Sequence, residues 1–154
     1  MHKVILFALL MCATSSADFM HCAFINPGAK IGYQFGKTGG FIFGVETSVT
    51  YAVSQAFAFT GIVGGLELNV NQMEFIKYWE IEFGATLFGI AFGGEWNKGY
   101  HGSFRAFTGA MGFISYKHLF NTDVNEVALI GKYPYYLYTV QDHGTYLNGK
   151  RIGD

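Results

Sequence analysis

Charge is what this chain has least of. Only 14% of its 154 residues are Asp, Glu, Lys or Arg, against roughly 25% in ordinary soluble domains, and a water-facing surface is hard to build from so few. Ten basic residues stand against eleven acidic ones and nowhere form a cluster. That argues against a phosphate-binding face, and so against nucleic acid as a partner. Cysteine is scarce as well. Of the two, Cys12 falls in a leader expected to be removed, so Cys22 is left alone and no intramolecular disulfide is expected. Cys22 reads as a buried or idle thiol, because Phe19-Met20-His21 before it lacks the small residues that lipid attachment prefers. His21 and Cys22 have no second pair at ligand spacing, so neither a metal site nor a cofactor is expected. Long apolar runs are missing too: Val4 to Cys12 is nine residues, short of the ~20 that cross a bilayer as a helix.

That run does fit an export signal. His2 and Lys3 supply a basic start, and Ser15 and Ala17 stand at the −3 and −1 positions of a cleavage site before Asp18. Residues 1–17 are therefore expected to be a signal peptide, 18–140 a single β-barrel domain, and 141–154 a polar, poorly ordered tail.

Aromatic residues and glycine are abundant, at 18% and 21 residues, and they are arranged with a period of two. From Gly28, Ala29, Ile31, Tyr33 and Phe35 alternate with Lys30, Gly32 and Gln34; after Lys37-Thr38-Gly39-Gly40, Phe41, Phe43, Val45, Val49, Tyr51 and Val53 alternate with Gly44, Glu46, Ser48 and Thr50. Such a pattern predicts a β-hairpin with one face in an apolar medium. Asn26-Pro27-Gly28 reads as a turn opening the first strand. Ala56 to Asn71 begins with Phe57, Phe59 and Val63 in phase and then switches to Leu66, Leu68 and Val70, which predicts a bulge at Gly64-Gly65. Phe75 to Ala85 and Phe88 to Glu95 read as two strands joined by a tight turn. Ser103 to Lys117 is ambiguous, with apolar residues on both faces, and Val127 to Tyr135 is a further strand fading at Pro134. With Tyr135 to Val140 as an eighth run, the count suits an up-and-down meander closing into a small transmembrane β-barrel of about eight strands.

The polar faces favour that fold. Lys30, Glu46, Glu67, Glu80, Glu82, Glu95 and Arg105 are expected in the barrel interior, paired with one another or with Lys132, because unpaired carboxylates are costly inside a soluble sandwich. Tyr33, Trp79 and Trp96 are expected in an interfacial girdle. The other arrangement is a secreted soluble β-barrel with the aromatic faces inside, binding an apolar ligand, and alternation by itself is symmetric between the two.

The wording Asn26-Pro27-Gly28-Ala29-Lys30-Ile31-Gly32-Tyr33-Gln34-Phe35-Gly36, then Gly39-Gly40-Phe41-Ile42-Phe43-Gly44-Val45-Glu46, resembles small uncharacterised outer-membrane β-barrel proteins of Gram-negative bacteria. Glu82-Phe83-Gly84 and Lys132-Tyr133-Pro134 are similar too, so the resemblance spans roughly residues 24 to 135. It implies an outer-membrane location; a monomeric or weakly oligomeric barrel with membrane lipid as its surrounding partner is the matching expectation. It assigns no catalytic residue and no extracellular or periplasmic partner. His101-Gly102-Ser103 invites comparison with outer-membrane lipid A deacylases, which use a histidine, a serine two residues later and a carboxylate. No acidic residue follows Ser103 before Asp123, so a structural or surface-interaction role without catalysis is the expectation, and a lipid-modifying enzyme the alternative.

Overall fold

The hairpin expected between Gly28 and Val53 is the first unit of a closed antiparallel sheet. A computed structural model of the chain describes residues 21–37, 39–53, 58–85, 87–108, 112–141, 144–147 and 150–152; the expected signal peptide and Cys12 lie outside them. The described residues form eleven strands and no helix: β1 His21–Phe35, β2 Gly40–Val53, β3 Ala58–Asn69, β4 Glu74–Ala85, β5 Phe88–Trp96, β6 Tyr100–Thr108, β7 Gly112–Leu119, β8 Asn125–Lys132, β9 Tyr135–Gln141, β10 Gly144–Leu147 and β11 Lys150–Ile152. From β1 to β8 each strand pairs with the next, and β1 pairs with β8, so the meander closes into an eight-stranded barrel. Followed once around, the register leads from Cys22 through Ala52, Phe59, Gly84, Gly89, Phe107, Ser115 and Ala128 back to β1 at Gly32, ten residues beyond the start. That stagger tilts the strands, and with eight of them the bore is no wider than the side chains filling it.

Several expectations are corrected. Ser103 to Lys117 is not one run but parts of two strands, β6 and β7, so eight strands are reached without Tyr135 to Val140. Asn26-Pro27-Gly28 is not a turn; β1 runs straight through it. Pro27 accepts a hydrogen bond from the Tyr133 N–H at 2.9 Å, so its carbonyl, and the nitrogen that lacks a hydrogen, both face the β8 side, where Tyr133 and Pro134 already interrupt pairing. The β2 ladder loses nothing. The chain's two prolines thus meet at one break in the seam, between Gly28–Lys132 on one side and Ile25–Tyr135 on the other. No bulge occurs at Gly64-Gly65, since β3 keeps continuous register with both neighbours. The run expected from Tyr135 to Val140 is a strand, β9, pairing with the first half of β1, and within the expected tail Gly144–Leu147 and Lys150–Ile152 extend the sheet beyond it as β10 and β11.

The period of two sorts the side chains. Phe43, Val45, Ile62, Phe83, Phe92 and Leu129 are exposed on the outer wall, as are their aromatic and aliphatic neighbours in each strand, while the interleaved Glu, Lys and Arg residues are buried inside. Aromatic rows therefore face out and carboxylates in, the reverse of a barrel with an aromatic interior. Among the described residues of β1 to β8, Lys77 is the one Lys, Arg, Asp or Glu on the outer wall, and it pairs with Trp96 at the end of β5.

Two glycines test how tightly the wall is built. A Cβ on Gly93 would overlap the Trp79 carbonyl and lie 2.6 Å from Glu80 Cα, both backbone, whereas one on Gly131 would meet nothing within 4 Å. Gly93→Ala should lower stability by about 1–3 kcal/mol, while Gly131→Ala should be neutral or slightly stabilising. Urea unfolding midpoints of the two variants, compared with the parent, check this.

Candidate functional site

The interior is a network of two ion-pair clusters, joined through Tyr78 and built from inward positions on all eight barrel strands. Six carboxylates, Glu46, Glu67, Glu80, Glu82, Glu95 and Glu126, meet four cations, Lys30, Arg105, Lys117 and Lys132. In one half, Lys30 pairs with Glu67 at 2.6 Å and with Glu126, and Lys117 lies 2.9 Å from Glu95, 3.2 Å from Glu126 and 3.6 Å from Glu67. In the other, the Arg105 guanidinium is 2.7 Å from Glu80 and 3.2 Å from Glu46, and Lys132 reaches Glu46 at 2.9 Å and Glu82 at 3.4 Å. Every pair crosses between strands, so each clamps the barrel's circumference.

Tyr78 joins the halves. Its hydroxyl donates to Glu46, while the ammonium groups of Lys30 and Lys117 lie 5.1 Å and 5.0 Å from its ring centroid, inside cation–π range. A side chain at Gly65 would collide with that ring. Of the glycine pair expected to form a bulge, Gly65 is therefore the floor on which Tyr78 lies, while Gly64 faces outward.

The two ends differ. At the end holding the β2–β3, β4–β5 and β6–β7 connections, Phe59 and Phe107 turn inward, their centroids 6.2 Å apart, over Gly84 and Gly89, where a Cβ would overlap the rings. Arg105 sits above this plug, 5.7 Å from the Phe107 centroid. Between plug and network, Asn26 donates to Ser48 and Thr50, and Thr50 to Glu82. At the opposite end Asn69 donates to Gln34 at 2.9 Å, and above them a cavity of about 380 Å³ opens between the four hairpin turns.

All seven expected interior residues, Lys30, Glu46, Glu67, Glu80, Glu82, Glu95 and Arg105, are buried there. The sequence reading missed Lys117, Glu126 and Tyr78. Lys117 was hidden because β6 and β7 were read as one run; split at the turn, Ser115 and Lys117 fall into one phase. Glu126 lay in plain view, alternating with Val127 and Leu129. Of the expected girdle residues, Tyr33 and Trp96 lie on the outer wall near strand ends, but Trp79 is midway along β4, opposite Gly64 and Gly94. His101 lies at the cavity. Ser103 is 1% exposed in the interior, with its hydroxyl donating to Glu80 at 3.3 Å. Cys22 is buried, and the described residues hold no group of three or more His, Cys, Asp or Glu able to bind a metal.

Removing one member of such a network strands its partners. Arg105→Met should cost about 3–5 kcal/mol, and adding Glu80→Met should restore most of the loss, because a buried pair replaced by apolar side chains leaves no orphaned charge. Lys98→Ala, which breaks an exposed pair with Glu74 at the rim, should leave the unfolding midpoint unmoved. Denaturant titration of the single and double variants decides the matter. Compared with protein-family models, with curated proteins and with solved structures, the chain finds no match, so the reading of this site rests on its own residues.

Proposed function

We propose that the chain is an exported outer-membrane β-barrel with a structural or surface-interaction role and no catalytic activity. One observation carries the reading: the described strand residues of β1 to β8 put a single charge, Lys77, on the outer wall and eleven on the inner side, ten in the network and Glu74 at the mouth. In water this distribution is upside down, exposing wide apolar rows and burying carboxylates. In lipid it satisfies both walls, since closure leaves no strand edge unpaired within the barrel and the interior charges find partners within it. Lys77 suits this medium as well, because its long stem can carry the ammonium towards the rim marked by Trp96.

A role without catalysis is supported by Ser103, whose hydroxyl is turned into the charged interior, away from any lipid that would meet the outer wall. A role other than conduction is supported by the bore, filled along its length by the network and by Phe59 and Phe107.

The test is fractionation of the expressed protein with and without detergent, followed by electrophoresis of boiled and unboiled samples. Detergent-dependent extraction and a heat-modifiable band are expected; full solubility in buffer would sink the reading. Leu129→Arg, in the middle of the outer wall, should abolish or strongly reduce membrane assembly at a cost of about 2–4 kcal/mol, while Lys77→Leu should assemble normally. Planar-bilayer recordings should show no stepwise conductance.

A further inference from the structure

We propose that the upper mouth of the barrel is a binding site for one neutral saccharide unit. The mouth is a cup with one opening, because the Phe59–Phe107 plug and the ion-pair network close everything beneath it. Its volume of about 380 Å³ falls in the ~300–1,000 Å³ range of small-molecule sites. Its walls come from the four turns joining β1–β2, β3–β4, β5–β6 and β7–β8. These turns are short, and each holds a residue with positive φ, Gly36, Met73, Lys98 and Asn121 respectively. The cup is thus preformed, with little ordering left to oppose binding.

The lining selects the class of ligand. Gln72, Asn97 and Asn121 bring three side-chain amides to one cavity, Asn97 already bonded to Glu74, and an amide both donates and accepts, as sugar hydroxyls do. The Gln34 amide is buried beneath them, bonded to Asn69 and Glu126. The half-buried His101 imidazole adds a ring with no hydrogen-bond partner among the described residues. Charge is present as well. Lys98 pairs with Glu74, Lys37 and Asp123 stand on adjoining turns, and Glu95 shares Lys117 with Glu67 and Glu126. Carboxylates outnumber ammonium groups along the lining, so an anion finds no surplus of opposite charge. Val124, with the buried Leu119 behind it, supplies an apolar contact on the same wall, suited to the C–H face of a pyranose ring. Because every one of these groups sits at the mouth, the site stands whether the outer wall meets lipid or water.

The experiment is a titration of the purified full-length chain with D-glucose and with N-acetyl-D-glucosamine, followed by backbone amide chemical shifts. Saturable shifts are expected at residues 37, 72, 101 and 121–124, with none at Phe59 or Phe107. The dissociation constant should be on the order of 1 mM, the scale of a small, partly enclosed ligand. Gln72→Ala and Asn121→Gly each remove one amide, and should weaken binding roughly five- to tenfold. The second keeps the fold secure, because Asn121 has φ 61° and glycine adopts that conformation freely. Lys77→Leu, on the outer wall, should bind as the parent does. Absence of saturation with both sugars, unchanged affinity in both amide variants, or tighter binding of inorganic phosphate or glycine than of either sugar would each overturn the proposal.

Discussion

Ten acidic and basic side chains inside a bore only one side chain wide are the constraint on which the rest depends. A lone buried carboxylate or ammonium is too costly to keep, so every charge must find its opposite across the barrel, and the register of all eight strands must bring it there. Arg105 meets Glu46 and Glu80, and Lys117 meets Glu67, Glu95 and Glu126, only when β2, β3, β4, β5, β6, β7 and β8 hold their observed offsets. A slip of one residue along any strand would turn its charges outward and its aromatics inward. Hydrophobicity fixes which face turns in, and the ion pairs fix how far each strand has slid.

Small residues make that interior possible. Gly65 gives Tyr78 room to lie between two lysines, and Gly84 and Gly89 let Phe59 and Phe107 fold flat across the bore. Side chains there would force either the rings out or the wall apart. The abundance of glycine is thus a consequence of filling a narrow cylinder with large side chains: where one strand contributes a ring, its neighbour must contribute nothing.

How much of this was legible follows from what each signal measures. Alternation from Gly28 to Val53 and from Phe75 to Ala85 reported a two-faced sheet directly, so the strands and the inward carboxylates could be read from it. It failed at Phe59, Val63 and Phe107, apolar residues that point inward with the charges. A rule that sorts residues by polarity had to place them on the other face, and it invented a bulge in β3 to do so. Gly109-Ala110-Met111, between β6 and β7, leaves no polar gap in the sequence, which hid the division between the two strands and with it Lys117. Pro27 misled for a different reason. A missing N–H signals a turn only if the ladder needs it, and at that position the seam had already opened opposite Tyr133 and Pro134.

The unlike ends give the barrel a direction that its antiparallel symmetry does not require. At the lower end two aromatic rings separate the network from whatever lies beyond, and the last polar layer, Asn26 with Ser48 and Thr50, bonds to itself and to Glu82. At the upper end Gln34 links Asn69 to Glu126, so the network continues into amides instead of stopping at hydrocarbon. Water and small polar molecules therefore approach the buried charges from one side alone. A network sealed on both sides would serve rigidity equally well, and one open on both would approach a channel. A barrel stoppered below and ending above in hydrogen-bonding groups is shaped to present a polar, rigid mouth, and the ion pairs beneath are what hold that mouth in place.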